Sequence, residues 1–261
     1  MAGSSPIQPS LSSVRWLALG TLLILAGCAA TNGALVDRSA SSQASMSLRL
    51  AEAARQAGDL GAAIRLYRKV VDQGSPPPRA LVEFGDTLVQ AGLPDDAIIA
   101  YRRVDKSSAA GLGASLGLVR AYVALHNPAA ALPYADQAVG DAPHDVRALV
   151  DRGVVLDSLE RHAEAQTAYR TALQAAPGNV PASNDLALSL ALTGQYDQAM
   201  AIMEPLARSA WATPKIRENL ALILGLSGDP ERAAAVSRLD LDAAQTAANL
   251  KRIASLRAGG P

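Results

Sequence analysis

The sequence predicts an all-α solenoid: six 34-residue helix–turn–helix units followed by a C-terminal capping helix. Three observations predict it. Alanine supplies 54 of the 261 residues while aromatics make up 3%, a composition that favours helices packed through small side chains over strands. Ala63, Ala97, Ala131, Ala165, Ala199 and Ala233 follow one another at intervals of 34; with alanine at about one residue in five, six in one chosen register arise by chance at roughly 10⁻⁴. Within the units, apolar residues recur three and four apart, as in Leu81, Phe84, Leu88 and then Ala97, Ile98, Tyr101, Val104, the spacing of an amphipathic helix.

The N-terminal segment comes first. Residues 1–15 are polar with one positive charge, Arg15, and Trp16 to Ala26 form an eleven-residue apolar run ending at Gly27-Cys28. Eleven residues are too few to cross a bilayer core, which takes about 20, but they suit the apolar region of an export signal. Cys28 is the chain's single cysteine, so an intramolecular disulfide is excluded. Leu25-Ala26-Gly27-Cys28 resembles a bacterial lipobox. That resemblance implies a signal peptide over 1–27, a covalent lipid on Cys28 as the new N-terminus and, with Ala29 following, sorting to the outer membrane. Residues 28–45, rich in Ala, Ser, Thr and Asn, are expected to be a flexible tether.

The solenoid is expected over 46–258, with units near 44–77, 78–111, 112–145, 146–179, 180–213 and 214–247. Five positions before each column alanine stand Gly58, Gly92, His126, Glu160, Gly194 and Gly228, where a left-handed residue would end the first helix. Four positions after it stand Tyr67, Tyr101, Ala135, Tyr169, Met203 and Ser237. The alanine column marks where the paired helices cross most closely. The sixth unit departs from the pattern at Ser237 and Asp240, as a unit meeting solvent would, and residues 242–258 read as the capping helix, stopped by Gly259-Gly260. No pair buries its apolar face alone, so stacking is obligatory.

This unit resembles the tetratricopeptide repeat, which implies a right-handed solenoid whose first helices line a concave, protein-binding groove. By that resemblance the groove positions are Arg79, Val82, Asp86, Val89, Leu116, Arg120, Val123, Arg147, Val150, Val154, Asn184, Leu188, Glu218 and Leu222. Aliphatic positions would take a peptide's side chains and the amide its backbone. The stretch from Ala212 to Asp229, with the later Asp240-Leu-Asp-Ala-Ala-Gln-Thr-Ala-Ala-Asn249-Leu, resembles the carboxy-terminal part of the D-type lipoprotein of the Tad (tight adherence, Flp) pilus system. It implies an assembly factor for a type IVb pilus, facing the periplasm from the outer membrane, with the secretin as partner. A scaffold for another envelope complex is the alternative: a different type IV pilotin, outer-membrane protein assembly, or cell-wall enzymes.

Other chemistries are poorly supported. Equal counts of 24 basic and 24 acidic residues leave no basic stripe for nucleic acid. Gly113-Ala-Ser115-Leu-Gly117 spells a nucleophile elbow, but it falls inside an expected helix, whereas that motif needs a strand-to-helix turn. His126, His144 and His162 lie 18 apart with no second ligand at helical spacing. No phosphate-binding glycine loop occurs. The expectation is a non-enzyme without metal, cofactor or small-molecule substrate, apart from the lipid.

Overall fold

The computed structural model describes residues 42–72, 74 and 76–259. The described residues are helical with connecting turns and contain no strand. They divide between two compact units, 1–74 and 75–261. Cys28 and the signal segment lie outside the described residues.

The first unit holds α1 (42–56) and α2 (Leu60–Val71). Residues 42–45, expected in the tether, form the first turn of α1 instead; Ser45 Oγ donates to the Ser42 carbonyl at 2.8 Å, the local back-bond by which a serine hydroxyl is accommodated within a helix. Asp59 caps α2, accepting from Ala62 N at 2.8 Å, and Tyr67 OH donates back to Glu52. Arg55, bonded to Glu52 at 2.6 Å, holds that carboxyl down at about 2.

The second unit holds five helix pairs and a final helix: α3 (Pro78–Gln90), α4 (Pro94–Arg102), α5 (Gly111–Ala124), α6 (Pro128–Asp141), α7 (Val146–Ser158), α8 (His162–Ala175), α9 (Val180–Leu192), α10 (Tyr196–Arg208), α11 (Pro214–Ser227), α12 (Pro230–Ser237) and α13 (Ala243–Ala258). Each helix packs on the next. The first helices also touch in a row: α3 on α5, α5 on α7, α7 on α9, α9 on α11, and α11 on α13. The starts are written in the sequence. Pro at the first or second helical position opens α3, α4, α6, α9, α11 and α12, where its missing N–H costs nothing. Asn127, Asp145, Asn179, Thr213, Asp229 and Asp242 supply side-chain caps. α13 adds a capping box between Asp242 and Gln245.

The turn between the helices of a pair is left-handed at the same point in every repeat. Gly58, Gly92, Gly194 and Gly228 have φ between +73° and +98°, and His126 (+53°) and Glu160 (+60°) adopt the same region. A side chain there costs roughly 1–2 kcal/mol, so these two positions carry strain the glycines avoid.

Every column alanine is fully buried, 0% exposed. The column four residues later is equally buried, and its size varies with the residue it meets. Tyr101 is 1% exposed, its ring lying over Gly85 and Gly117, where any Cβ would overlap it. Tyr169 lies over Gly153 in the same way. In the third pair the column shrinks to Ala135, and Val119 stands where Gly85 and Gly153 stand; the two pack in one cluster. Volume lost on one helix returns on the other, as close packing demands.

Candidate functional site

The row of first helices presents most of the expected groove residues together. Asp86 on α3 accepts from Tyr101 OH at 2.7 Å and from Arg120 Nη2 of α5 at 2.6 Å. Arg120 also approaches Asp151 of α7 at 4.0 Å. Farther along, Asn219 Nδ2 of α11 donates to Asn184 Oδ1 of α9 at 2.7 Å, and Arg252 of α13 donates to Glu218 of α11 at 3.2 Å. The partners lie 31 to 35 residues apart, so each contact bridges the first helices of two successive repeats. Half-buried Val82, Val89, Val123, Val150, Val154, Leu188 and Leu222 alternate with these contacts.

Some expected residues sit elsewhere or are engaged locally. Leu116 is a correction: at 1% exposure it lies in the core against Ala138 and Ala148, whose small side chains leave room for it to turn inward. Arg79 is extended into solvent, 87% exposed, and pairs with Glu83 one turn on. Arg147 folds back on Asp145, the cap of its own helix, at 2.8 Å.

Two groove carboxylates were not singled out from the sequence. Asp151 and Asp185 stand one repeat apart on α7 and α9, a spacing of 34 that was legible. Burial raises the Asp151 carboxyl to about 6, against the opposing pull of Arg120 and Arg147. Burial also raises Asp185, offset in part by the Asn184 amide, which donates to it at 2.9 Å. Beside them Asp157 accepts from Ser189 Oγ at 2.7 Å and Tyr169 OH at 3.1 Å and meets His162 Nδ1 at 2.9 Å, tying α7 to α8 and α9.

Ser115 is 3% exposed in the middle of α5, without the sharp strand-to-helix turn that would present a nucleophile. His126 occupies the left-handed turn after α5 and His144 the loop before α7. Among the described residues no group of three or more His, Cys, Asp or Glu side chains is placed to hold a metal, and no helix is long and apolar enough to cross a membrane.

Comparison with known proteins settles the family. One tetratricopeptide-repeat model matches residues 48–111 and 116–180, and a second matches 158–210. The chain belongs to the tetratricopeptide-repeat family. Such repeats form protein-binding scaffolds, a fold that is typically non-catalytic. Solved structures similar to this tetratricopeptide-repeat chain include a thermophilic tetratricopeptide-repeat protein of Thermus thermophilus (22% identity, TM-score 0.59, 69% of this chain and 98% of that one). Another is MamA of Desulfovibrio magneticus (19%, TM-score 0.55, 63% and 93%). Both speak to the fold alone.

Among curated proteins the chain is similar to an uncharacterised protein of Sinorhizobium fredii, y4yS (33% identity over 120 residues, 46% of this chain and 62% of that one). It is also similar to cellulose synthase operon protein C of Xanthomonas axonopodis pv. citri (31% over 214 residues, 79% of this chain). The similarity spans 62% of the first relative's length and 14% of the second's.

Proposed function

We propose that this repeat protein is a non-catalytic, lipid-anchored envelope scaffold that helps assemble a Tad/Flp type IVb pilus, acting on its secretin from the periplasmic side of the outer membrane. The observation that carries the scaffold reading is the line of first-helix residues from Asp86 to Arg252, polar contacts alternating with half-buried aliphatics. Such a face offers a partner segment both hydrogen bonds and apolar contact. The pilus and membrane parts rest on the Tad-like tail sequence and the Leu25–Cys28 lipobox. A lipid at Cys28 would hold the scaffold at the membrane and raise its effective concentration toward a membrane-bound partner.

The deciding experiment is crosslinked affinity capture of the tagged, lipidated chain from solubilised envelopes. A secretin among the captured proteins is the expected result. Cell-wall enzymes or barrel-assembly proteins in its place would discard the pilus while leaving the scaffold. The likeness to a protein named for the cellulose synthase operon favours a second reading, in which the same scaffold serves another envelope assembly. The anchor is tested separately: Cys28→Ser should release the chain from membranes with its melting unchanged, and a mutant that stays membrane-bound and lipid-labelled would eliminate the lipobox.

A further inference from the structure

α11, α12 and α13 enclose a cleft of about 530 Å³. A helix that merely capped the last pair would need only its inward stripe, which here is Thr246, Asn249 and Ile253, all buried. Ile253 does the capping, its side chain pressed over Gly225 of α11. The cleft is lined by Gln245 and Ala248 from the neighbouring, exposed stripe of α13, together with the buried Asn249 at its inner edge.

Two polar side chains form part of its wall deep in the protein, Ser237 at 4% and Asn249 at 8% exposure. Buried polar groups are costly unless their hydrogen bonds are made. Asn249 Oδ1 accepts from Arg252 Nη2 at 3.0 Å, and Asn249 Nδ2 reaches Ser237 Oγ at 3.3 Å. That long contact takes one amide proton and leaves the second. On the rim, Gln245 Oε1 is taken by the Asp242 backbone N–H at 3.0 Å, which leaves its Nε2 as a donor. The acceptors are already taken. Glu218 meets Arg252 at 3.2 Å and Lys215 at 3.5 Å, and Asp240 binds both arms of Arg217. The lining charges also cancel: Lys215 and Arg252 against Glu218 and Asp240.

A neutral cleft with amide donors to spare and its carboxylates occupied selects for an uncharged ligand that presents acceptors. We propose that it is a subsite for an uncharged, extended peptide segment, whose backbone carbonyls accept from Asn249 and Gln245 while a small aliphatic side chain rests on Leu241. The proposal rests on the scaffold reading above and makes α13 a recognition element as well as a cap. A charged side chain entering the cleft would have to displace an existing ion pair, so acidic and basic segments are disfavoured.

The test titrates the full-length, ¹⁵N-labelled chain with a capped neutral hexapeptide, acetyl-Ala-Leu-Ser-Ala-Leu-Ser-amide, and with analogues carrying Asp or Lys at the central positions. The neutral peptide should shift the side-chain amide signals of Asn249 and Gln245 at millimolar concentration, and the charged analogues should bind about tenfold more weakly. Gln245→Glu keeps the capping acceptor and loses the donor, so binding should fall about tenfold with unchanged melting. Asn249→Asp, its carboxylate still beside Arg252, should lose as much. Absence of shifts with the neutral peptide, equal or tighter binding of a charged analogue, or an unaffected Gln245→Glu variant would each overturn the subsite. If peptides shift only signals of α5, α7 and α9, the scaffold reading survives and this subsite falls; if none shifts any first-helix signal, both fall.

Discussion

The second and fourth helix pairs solve the same packing problem as the third by opposite means. In the former, Tyr101 and Tyr169 lie over glycines of the neighbouring helices. In the latter, Ala135 faces Val119. Across these three pairs volume is conserved over two facing columns rather than residue identity at either one. A second consequence is chemical. Each tyrosine carries its hydroxyl to a carboxylate on the first helix of its own pair, Asp86 or Asp157, and the third pair, lacking the phenol, has no such tether. Burial and the nearby carboxylates push both tyrosine hydroxyls well above their usual pKa, so they remain donors throughout the accessible pH range.

The largest effect that tests this comparison should come from Tyr169→Ala, which empties the site over Gly153 and is expected to cost about 3–5 kcal/mol in denaturant unfolding. A loss below about 1 kcal/mol would mean the glycine and tyrosine columns are not coupled. Ala135→Tyr should destabilise by overpacking, about 1–3 kcal/mol, and Val119→Gly in the same chain should recover part of the loss by recreating the fourth pair's arrangement. Strict additivity of the two would break the volume argument. Ala97→Leu or Ala165→Leu, forcing apart a helix crossing, should likewise cost about 1–3 kcal/mol; an unchanged melting temperature would count against the crossing.

A smaller effect depends on pH. Asp151 has its folded pKa raised from 3.8 to about 6, so between those values the folded chain holds the proton more firmly than the unfolded one. The stability it contributes is fully present below pH 4 and is lost as pH rises through 6. Asp151→Asn should therefore stabilise the chain at pH 7.5 by about 1–2 kcal/mol, allowing for the partial exposure of the carboxyl, with the gain vanishing near pH 4. Equal effects at both pH values would show that the carboxyl titrates normally. The smallest changes are expected at the strained turns. Glu160→Gly and His126→Gly should each raise stability by about 0.5–1 kcal/mol, the relief of a left-handed side chain less the added freedom of the unfolded chain, whereas Gly92→Ala at the equivalent turn should lower it.

Much of this was legible because a repeat samples one structure six times. The interval of 34 located the left-handed turn even where His126 and Glu160 replace glycine, and it marked the alanine column. Residues at the margin between core and groove were less legible. Leu116 and Val150 occupy equivalent positions 34 apart, yet Leu116 turns inward against Ala138 and Ala148 while Val150 stays half-buried. Helical periodicity resolves the face of a helix, but whether a marginal side chain enters the core depends on the space its neighbours leave. Likewise the spacing of Asp151 and Asp185 was visible, but the burial that raises their pKa values was not.

The sequence by itself determined the all-helical class, the period, the turn positions and the small-residue crossings, because these follow from local backbone preference and from patterns repeated at one interval. Tertiary structure decided which facing columns share volume, which groove residues pair across repeats, and that α13 shapes a cleft as well as covering an edge. Those outcomes depend on distances between side chains far apart along the chain, and such distances exist only once the helices have packed.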